Sequence, residues 1–442
     1  MATARFEPAE SLEGTLTPPP DKSISHRAAL IGAIGDGRVT VRDYLDSADT
    51  RSTLDAIGKL GAGVERTERE GALDVVIDGI GLSGARGSSG RIDVGNAGTL
   101  IRLLSGWLAA QEGASWELNG DTSIRRRPME RIVEPLMLMG ARIEATAAGV
   151  PPLQIEGRKL IGIEYKLPVA SAQVKSCLLL AGLLAAGETT VVEPQPTRDH
   201  TERMLAASGV PLAIVRRGSN PALPPPARIT ARPQSSLQLP DMTVPGDLSS
   251  AAFHLVAGVL AGRGRVRVEG VGLNPTRVGL LGILNRMSAR IEIEETGFQG
   301  GEPVGAVVAR SGGLQGTHVL AGEVPSAIDE LPLVGLLGAF ADGETVVAGA
   351  GELRHKESDR IAGVVEGLRG LGAEIEATED GFVVAGSGGL RGGEIDSRGD
   401  HRLAMLGAVA GLLSRDGVTV TGIEAAAVSY PGFESDLRSL IR

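Results

Sequence analysis

The feature that most constrains the fold is a short motif that occurs six times at nearly equal intervals. Each copy has a glycine turn followed by a β-rich strand, and the copies read GRVTV from Gly37, GASWEL from Gly113, GETTVV from Gly187, GRVRVE from Gly264, GETVV from Gly343 and GVTVTG from Gly417. Successive copies lie 74 to 79 residues apart, a regularity that chance would not produce. One supersecondary unit therefore occurs six times.

Each copy combines helices with strands. An Ala- and Leu-rich helical stretch precedes each turn, for example at residues 100–110 and 403–413. A loop and a second amphipathic helix follow each strand, and five of these helices end at a small-residue stop such as Gly140-Ala141, which is typical of a helix C-cap. The predicted unit is α/β: helix, strand, helix and strand, with further strand between units.

Chain length and repeat number together predict two domains of three units each. A chain of 442 residues is too long for one ordinary core. The sixth copy lacks its last strand, whereas the first 20 residues contain an unassigned strand-like stretch, so we expect the N-terminal strand to complete the last unit. The predicted domains are 21–243 and 1–20 plus 244–442, with a Pro-rich stretch, Pro221 to Pro240, near the crossover. The alternative is a single solenoid, but solenoids usually have shorter repeats.

Composition excludes several classes of protein. The net charge of −10 argues against a protein that coats nucleic acid, and no apolar run is long enough to span a membrane. The single cysteine, Cys177, fits a reducing compartment, and the N-terminus lacks the apolar run of a signal peptide, so we expect a cytoplasmic protein. The six histidines show no metal-ligand spacing, and there is no Walker loop.

A polar cluster precedes the first helix of every unit. A helix N-terminus binds anions because its N–H groups are free and its dipole end is positive. Ordinary capping explains Ser249 well, but it does not explain Lys22, Arg27 and Arg402, since cations are disfavoured there. We interpret these cations as ligands of anions.

Residue spacing supports this interpretation in two places. Ser23 and Arg27, and likewise Lys356 and Arg360, are four residues apart and share a helix face; residues 125–127 are three consecutive arginines. However, an arginine recurs near the start of the second helix in five units, so a structural role in the repeat is an equal alternative. These arginines are Arg51, Arg127, Arg198, Arg277 and Arg360.

Eight segments together resemble one enzyme family. They are DKSISHRAAL from Asp21, GNAGT from Gly95, RRRP from Arg125, SAQVKS from Ser171, TRDHTE from Thr197, AIDELP from Ala327, KESDR from Lys356 and DHR from Asp400. In order and wording they resemble the 5-enolpyruvylshikimate-3-phosphate synthases, the targets of glyphosate. The resemblance implies an enolpyruvyl transferase-like inverse α/β barrel: two domains, each of three repeated βαβαββ-like units, with the active site in the cleft between them.

The resemblance also implies the reaction. The enolpyruvyl (1-carboxyvinyl) group of phosphoenolpyruvate moves to the 5-hydroxyl of shikimate 3-phosphate by addition and elimination, with release of phosphate, in aromatic amino acid biosynthesis. No metal or other cofactor is expected, because arginines neutralise the anionic charge, and we expect a monomer. The alternatives are the sister transferase for UDP-N-acetylglucosamine, which uses a Cys on a mobile loop, and a non-catalytic anion-binding protein.

Site residues follow from the same resemblance. Shikimate 3-phosphate would be held by Lys22, Ser23, Arg27, Ser171, Gln173, Arg198, Asp329 and Lys356. Phosphoenolpyruvate would be held by Lys22, Gly98, Arg127, Gln173, Arg360 and Arg402. Asp329 would be the base for the hydroxyl, and Glu357 the acid at C3, with Lys22 also placed to transfer protons.

The chain departs from the family pattern at two of these places. Ala172 stands where many members have a second Ser, so one phosphate contact would come from backbone N–H instead. Val428 stands where some members have a Lys, so that contact to phosphoenolpyruvate would be absent.

Overall fold

The structure is a computed structural model. It describes residues 1–69, 72–86, 88–216 and 225–442. Residues 221–224, the start of the Pro-rich stretch, lie outside these ranges. Among the described residues, no helix has both the length and the apolar character needed to cross a membrane.

The described residues form α-helices of four to thirteen residues. They are α1 (Lys22–Ile34), α2 (Ala48–Lys59), α3 (Gly98–Ala109), α4 (Glu130–Leu138), α5 (Ala172–Gly182), α6 (His200–Ala207), α7 (Leu248–Leu260), α8 (Gly279–Arg286), α9 (Val324–Ala327), α10 (Leu331–Phe340), α11 (Arg360–Gly370), α12 (His401–Leu413) and α13 (Phe433–Ser439). Short 3₁₀ helices cover Ile124–Arg126, Gly351–His355 and Ile423–Val428.

The strands are short and numerous. They are β1 (Thr3–Phe6), β2 (Ser11–Leu16), β3 (Arg38–Leu45), β4 (Gly63–Arg69), β5 (Ala72–Asp78), β6 (Ser88–Asp93), β7 (Ser115–Asn119), β8 (Arg142–Glu144), β9 (Leu153–Glu156), β10 (Glu164–Lys166), β11 (Thr189–Glu193), β12 (Ala213–Arg216), β13 (Ala227–Ala231), β14 (Met242–Thr243), β15 (Arg263–Gly272), β16 (Arg290–Gln299), β17 (Glu302–Arg310), β18 (His318–Val319), β19 (Glu344–Val347), β20 (Glu374–Ala377), β21 (Phe382–Ala385), β22 (Gly393–Asp396) and β23 (Val418–Thr421).

The six strands predicted from the glycine motif are β3, β7, β11, β15, β19 and β23, and each occupies the same place in its sheet. Each has a parallel neighbour on one side and an antiparallel neighbour on the other, as β7 has β6 and β9. The turn glycine has a positive φ in five copies, which explains why glycine is required there. The exception is Gly264, because β15 already begins at Arg263. The predicted repeat is confirmed.

Strands from distant parts of the chain complete three of the sheets. β1 pairs antiparallel with β23, with Thr3 opposite Thr421, so the prediction that the N-terminal strand completes the last unit is confirmed. In addition, β2 lies parallel to β15, and β14 lies parallel to β3.

The described chain divides into two compact units. The terminal unit contains Met1–Pro19, Pro245–Phe298 and Pro303–Arg442, and the middle unit contains Pro20–Val244 and Gln299–Glu302. Each unit has its own apolar core, built mainly from Ala, Val, Leu and Ile.

The first helix of each repeat lies inside its unit. In α1, eleven of thirteen residues are buried, and α7 and α12 are buried to a similar extent. These helices pack on one another and on the strands, as α1 does on α3 and β3. Helices inside and sheets outside form the inverse α/β arrangement, so the predicted fold class is confirmed.

Close contact between α3 and α5 depends on Gly106. A Cβ at this position would lie 2.1 Å from the carbonyl oxygen of Cys177, which is far inside van der Waals contact. Cys177 itself is fully buried, as expected for a core residue. Burial raises the pKa of its thiol to about 12, so this cysteine is an unreactive packing residue.

Two glycine-to-alanine changes in helices should therefore have opposite effects on stability. Gly106→Ala forces α3 away from α5 and should lower the free energy of unfolding by about 1–3 kcal/mol. Gly58→Ala, in α2, would place its methyl group where no atom lies within 4 Å. This change should raise the free energy of unfolding by about 0.5–1 kcal/mol. Urea denaturation of both variants measures the difference; equal effects would contradict the close contact.

Candidate active site

Lys22 stands at the N-terminus of the buried helix α1. The preceding Asp21 caps the helix, since its carboxylate accepts a hydrogen bond from the Ile24 amide at 2.8 Å. Lys22 is half-buried, and its Nζ lies 3.2 Å from Oδ2 of Asp49, at the start of α2. The predicted cation is therefore present at the helix end, where a carboxylate from α2 holds it.

Arg27 lies one turn further along α1 and joins three helices. Its side chain is buried, and Nε donates to Oγ1 of Thr201 on α6 at 2.8 Å. The guanidinium also donates to the carbonyl of Ser23 at 3.0 Å and to Oγ of Ser176, on α5, at 3.4 Å. Residues 23 and 27 thus share a helix face, as their spacing predicted.

A second group of polar residues lies at the N-terminus of α3. A Cβ on Gly98 would lie 2.6 Å from Nη1 of Arg127 and 3.0 Å from Nη1 of Arg102, so glycine leaves room for two guanidinium groups. Arg127 is buried and donates to Oδ1 of Asn96. Arg102 donates to Oε1 of Gln173, on α5, at 2.9 Å. The predicted residues Gly98, Arg127 and Gln173 are therefore brought together.

Arg102 is the residue of this group that the sequence reasoning missed. It follows Gly98 by four residues, and it also donates to the Gly98 carbonyl at 3.2 Å. The same four-residue spacing drew attention to Arg27 and Arg360. Applied to every helix N-terminus, that spacing would have found Arg102.

Ser171 and Arg198 complete the predicted set in the middle unit. Ser171 caps α5, and its hydroxyl accepts a hydrogen bond from the Val174 amide at 3.4 Å. Arg198 is half-buried in the segment between β11 and α6. Ala172 is the first residue of α5.

In the terminal unit, Arg360 begins α11 and is surrounded by carboxylates. Its guanidinium donates to Oδ2 of Asp400 at 2.9 Å, to Oδ1 of Asp329 at 3.1 Å and to Oε2 of Glu357 at 2.6 Å. Ser358 also donates to Asp400, at 3.0 Å. The predicted residues Asp329, Glu357 and Arg360 thus meet in one cluster, in which the guanidinium is buried and the carboxylates of Asp329 and Glu357 are half-buried.

Electrostatics keep Arg360 and Asp400 ionised. Burial disfavours the charged guanidinium, but Asp400, Glu357 and Asp329 outweigh that effect and raise the pKa of Arg360. Burial would also raise the pKa of Asp400, yet the Arg360 charge holds it below its usual value. The anions that face this cation are therefore the protein's own carboxylates, a pairing that spacing alone did not predict.

Arg402 is placed differently. It lies at the start of the buried helix α12, and its guanidinium nitrogens are 3.8 Å from Oδ2 of Asp329 and 3.9 Å from Oε1 of Glu330. Its Nε is buried and, within the described residues, has no hydrogen-bond partner. Arg402 therefore retains an N–H group that could donate a hydrogen bond to an anionic ligand.

Two further positions named in the sequence analysis lie on or beside 3₁₀ helices. Lys356 is half-buried between the 3₁₀ helix Gly351–His355 and α11. Val428 ends the 3₁₀ helix Ile423–Val428. Among the described residues, no group of His, Cys, Asp or Glu could hold a metal ion.

The recurring arginines do not share one role. Arg51 is exposed and pairs with Asp46, with Nη2 2.8 Å from Oδ2. Arg277 is buried and donates to Oδ1 of Asp247 at 2.8 Å. In these two copies the arginine has the structural role that the repeat left open as one alternative, because a nearby carboxylate pairs with it.

Comparison with known proteins decides the family. The family model described as EPSP synthase (3-phosphoshikimate 1-carboxyvinyltransferase) matches residues 6–437. The chain belongs to the EPSP synthase family. The resemblance found from the sequence motifs is thereby confirmed.

Relatives agree with this membership of the EPSP synthase family. A 3-phosphoshikimate 1-carboxyvinyltransferase from Nitrosococcus oceani is 46% identical over 429 residues, covering 96% of this chain and 93% of the relative. One from Salinibacter ruber is 45% identical over 436 residues, covering 98% of each. A solved EPSP synthase from Acinetobacter baumannii has a TM-score of 0.84 and 41% identity, covering 99% of this chain and 98% of that one.

A more distant structure shows the fold alone. The enolpyruvyl transferase NikO from Streptomyces tendae has a TM-score of 0.74 at 18% identity, with coverage of 99% and 96%.

The Asp400–Arg360 pair predicts a pH-dependent stability difference. Asp400→Asn removes a charge from a buried pair and should lower the free energy of unfolding at pH 7 by about 3 kcal/mol. Because the folded-state pKa of Asp400 lies below its usual value of 3.8, its stabilisation is present above that value and is lost as the pH falls through the folded pKa. Urea unfolding from pH 7 towards pH 3 should show the gap from wild type shrinking below about pH 4.

The exposed Asp342 provides the control. Asp342→Asn should stay within about 0.5 kcal/mol of wild type throughout. A gap for Asp400→Asn that stays constant down to pH 3 would contradict the assignment of the effect to this carboxylate.

Proposed function

We propose that this protein transfers the enolpyruvyl group of phosphoenolpyruvate to the 5-hydroxyl of shikimate 3-phosphate and releases phosphate. The observation that carries the proposal is that two carboxyl groups, Asp329 and Glu357, lie within hydrogen-bond distance of one buried guanidinium, that of Arg360. Addition and elimination need a base, an acid and a cation that binds the anionic reactant. Membership of the EPSP synthase family supports the substrates.

The residues can be assigned to the steps of the reaction. Asp329 takes the proton of the 5-hydroxyl as its oxygen bonds to C2 of phosphoenolpyruvate, while Glu357 protonates C3. In the elimination, Glu357 takes a proton back from C3 and the bond between C2 and the phosphate oxygen breaks. Phosphate leaves with the proton that Asp329 received, so atoms and charge balance.

Contacts of Glu357 add a requirement to this scheme. A carboxyl group must hold a proton before it can donate one, but Oε2 of Glu357 accepts a hydrogen bond from Arg360, and a cation favours the ionised form. An anionic substrate that binds the Arg360 guanidinium in place of Glu357 would remove this effect. We propose that phosphoenolpyruvate binding itself prepares the acid.

The binding residues proposed for the two substrates follow the family resemblance. Those for shikimate 3-phosphate are Lys22, Ser23, Arg27, Ser171, Gln173, Arg198, Asp329 and Lys356. Those for phosphoenolpyruvate are Lys22, Gly98, Arg127, Gln173, Arg360 and Arg402, to which the contacts of Arg102 with Gly98 and Gln173 add Arg102. We also propose that the protein is a monomer and that it is cytoplasmic; the single cysteine fits a reducing compartment.

Cys177 disfavours the sister transferase. An enzyme that acts on UDP-N-acetylglucosamine through a cysteine needs that thiol on a mobile loop. Here the thiol lies within α5, is fully buried, and has a pKa raised to about 12 by desolvation. It can neither reach a substrate nor exchange protons near neutral pH.

Phosphate release distinguishes the candidate functions. Purified protein is incubated with phosphoenolpyruvate and either shikimate 3-phosphate or UDP-N-acetylglucosamine, and inorganic phosphate is measured. We expect release only with shikimate 3-phosphate. Release with the nucleotide sugar would favour the sister activity, and no release with either would favour a non-catalytic anion-binding protein.

Asp329→Asn tests the proposed base. The amide keeps the shape of the side chain but cannot accept the hydroxyl proton, so kcat should fall by about 10²–10⁴-fold with little change in KM. Thermal denaturation shows whether the variant is folded, and Asp342→Asn, an exposed substitution in the same unit, should leave kcat unchanged. A folded Asp329→Asn variant with near-normal kcat would show that another group, such as Lys22, is the base.

A further inference from the structure

Lys175 is a buried cation that the proposed reaction does not use. It lies on α5 and is fully buried. Its Nζ is 2.7 Å from Oε1 of Glu202 and 2.9 Å from Oε2 of Glu193, and it donates to the Thr197 carbonyl at 3.4 Å. Burying three ionisable groups is unfavourable unless ion pairs and hydrogen bonds of good geometry offset the loss of hydration. This cluster therefore calls for an explanation beyond core packing.

The ammonium remains charged in this environment. Burial alone would lower the pKa of Lys175, but Glu202 and Glu193 outweigh that effect and raise it. Burial raises the pKa of Glu202, although Lys175 opposes the shift. Removing the ammonium would leave two buried carboxylates facing each other.

The first consequence of this cluster concerns the segment that carries Arg198. Glu193 ends β11 and Glu202 lies in the first turn of α6, so Lys175 ties both ends of the connection between them. Within it, the amide and hydroxyl of Thr197 donate to Oε2 of Glu193 at 3.3 and 2.8 Å. Arg198 is the next residue, and its backbone position is therefore set by the cluster.

The second consequence concerns Arg27. Ser176 follows Lys175, and Thr201 precedes Glu202; the hydroxyls of these two residues lie 2.7 Å apart. Both accept hydrogen bonds from the Arg27 guanidinium. A shift of α6 relative to α5 would therefore change the direction of Arg27 as well.

We propose that Lys175 is a positioning residue for the binding of shikimate 3-phosphate, acting through Glu193, Thr197 and Glu202 on Arg198 and Arg27. The proposal rests on the proposed function, in which Arg198 and Arg27 hold that substrate. Arg360 and Arg402, which are proposed for phosphoenolpyruvate alone, face carboxylates of the terminal unit instead. The effect should therefore be confined to one substrate.

Three variants test the proposal. Lys175→Met removes the ammonium and keeps an unbranched side chain of similar length. Lys175→Met/Glu202→Met also removes one carboxylate, which restores the original net charge of the cluster without restoring the hydrogen bonds. Lys166→Met, at an exposed lysine on β10, is the matched control.

Steady-state phosphate release, with each substrate varied in turn, gives kcat and both KM values, and calorimetric titration gives the Kd for shikimate 3-phosphate alone. In Lys175→Met and in the double variant, KM and Kd for shikimate 3-phosphate should rise about tenfold, while kcat and KM for phosphoenolpyruvate change less than about twofold. Lys166→Met should match wild type. Thermal denaturation establishes that each variant is folded.

Several results would overturn the proposal. An unchanged KM for shikimate 3-phosphate in either folded Lys175 variant would overturn it. A loss of kcat with both KM values unchanged would also overturn it, because it would indicate only a smaller fraction of active protein. A normal KM in the double variant beside a raised one in Lys175→Met would show that net charge matters rather than position. Failure of the proposed function is separate, because it would appear in the wild-type protein as no phosphate release.

Discussion

The first helix of each repeat is buried along most of its length, and this burial confines the polar residues of the helix to its ends. A buried helix satisfies its own backbone groups except at its ends, where the first N–H groups need other partners. In three repeats an aspartate supplies the partner: Asp21, Asp247 and Asp400 accept hydrogen bonds from backbone amides at the starts of α1, α7 and α12. The helix ends are therefore where an aliphatic core gives way to charged chemistry.

Charge balance determines what these helix ends can bind. Arg360 has three carboxylate partners within hydrogen-bond distance, whereas Arg402 lies 3.8 Å or more from its carboxylate neighbours. An anionic ligand that binds Arg360 would therefore compete with internal carboxylates, and one that binds Arg402 would meet less competition. Binding free energy is the difference between the two sets of contacts, so internal pairing favours multiply charged ligands over simple anions.

Regular features of the sequence predicted most of the fold. The glycine motif located the strands that lie inside all six sheets. The sixth copy lacks its last strand, and this gap pointed to β1. The two-residue strand β14 and the grouping of Gln299–Glu302 with the middle unit could not be predicted, because two to four residues carry no periodic signal. In the site, spacing identified the helix-end cations, but their partners come from distant segments: Arg360 meets Asp400 across 40 residues. Lys175 lies in the SAQVKS segment, and only the structure shows that its side chain is buried.

Pairing of β1 with β23 and of β2 with β15 has a consequence for synthesis of the chain. Translation produces β1 and β2 before residues 20–244, whereas their partners β23 and β15 are made after them. By contrast, residues 20–244, nearly all of the middle unit, leave the ribosome as one continuous stretch. Domains generally fold as units during translation, so the middle unit can fold before the partners of β1 and β2 have been made. The terminal unit can be completed only after β15 and β23 have been made, so its strands β1 and β2 remain without these partners while the middle unit folds.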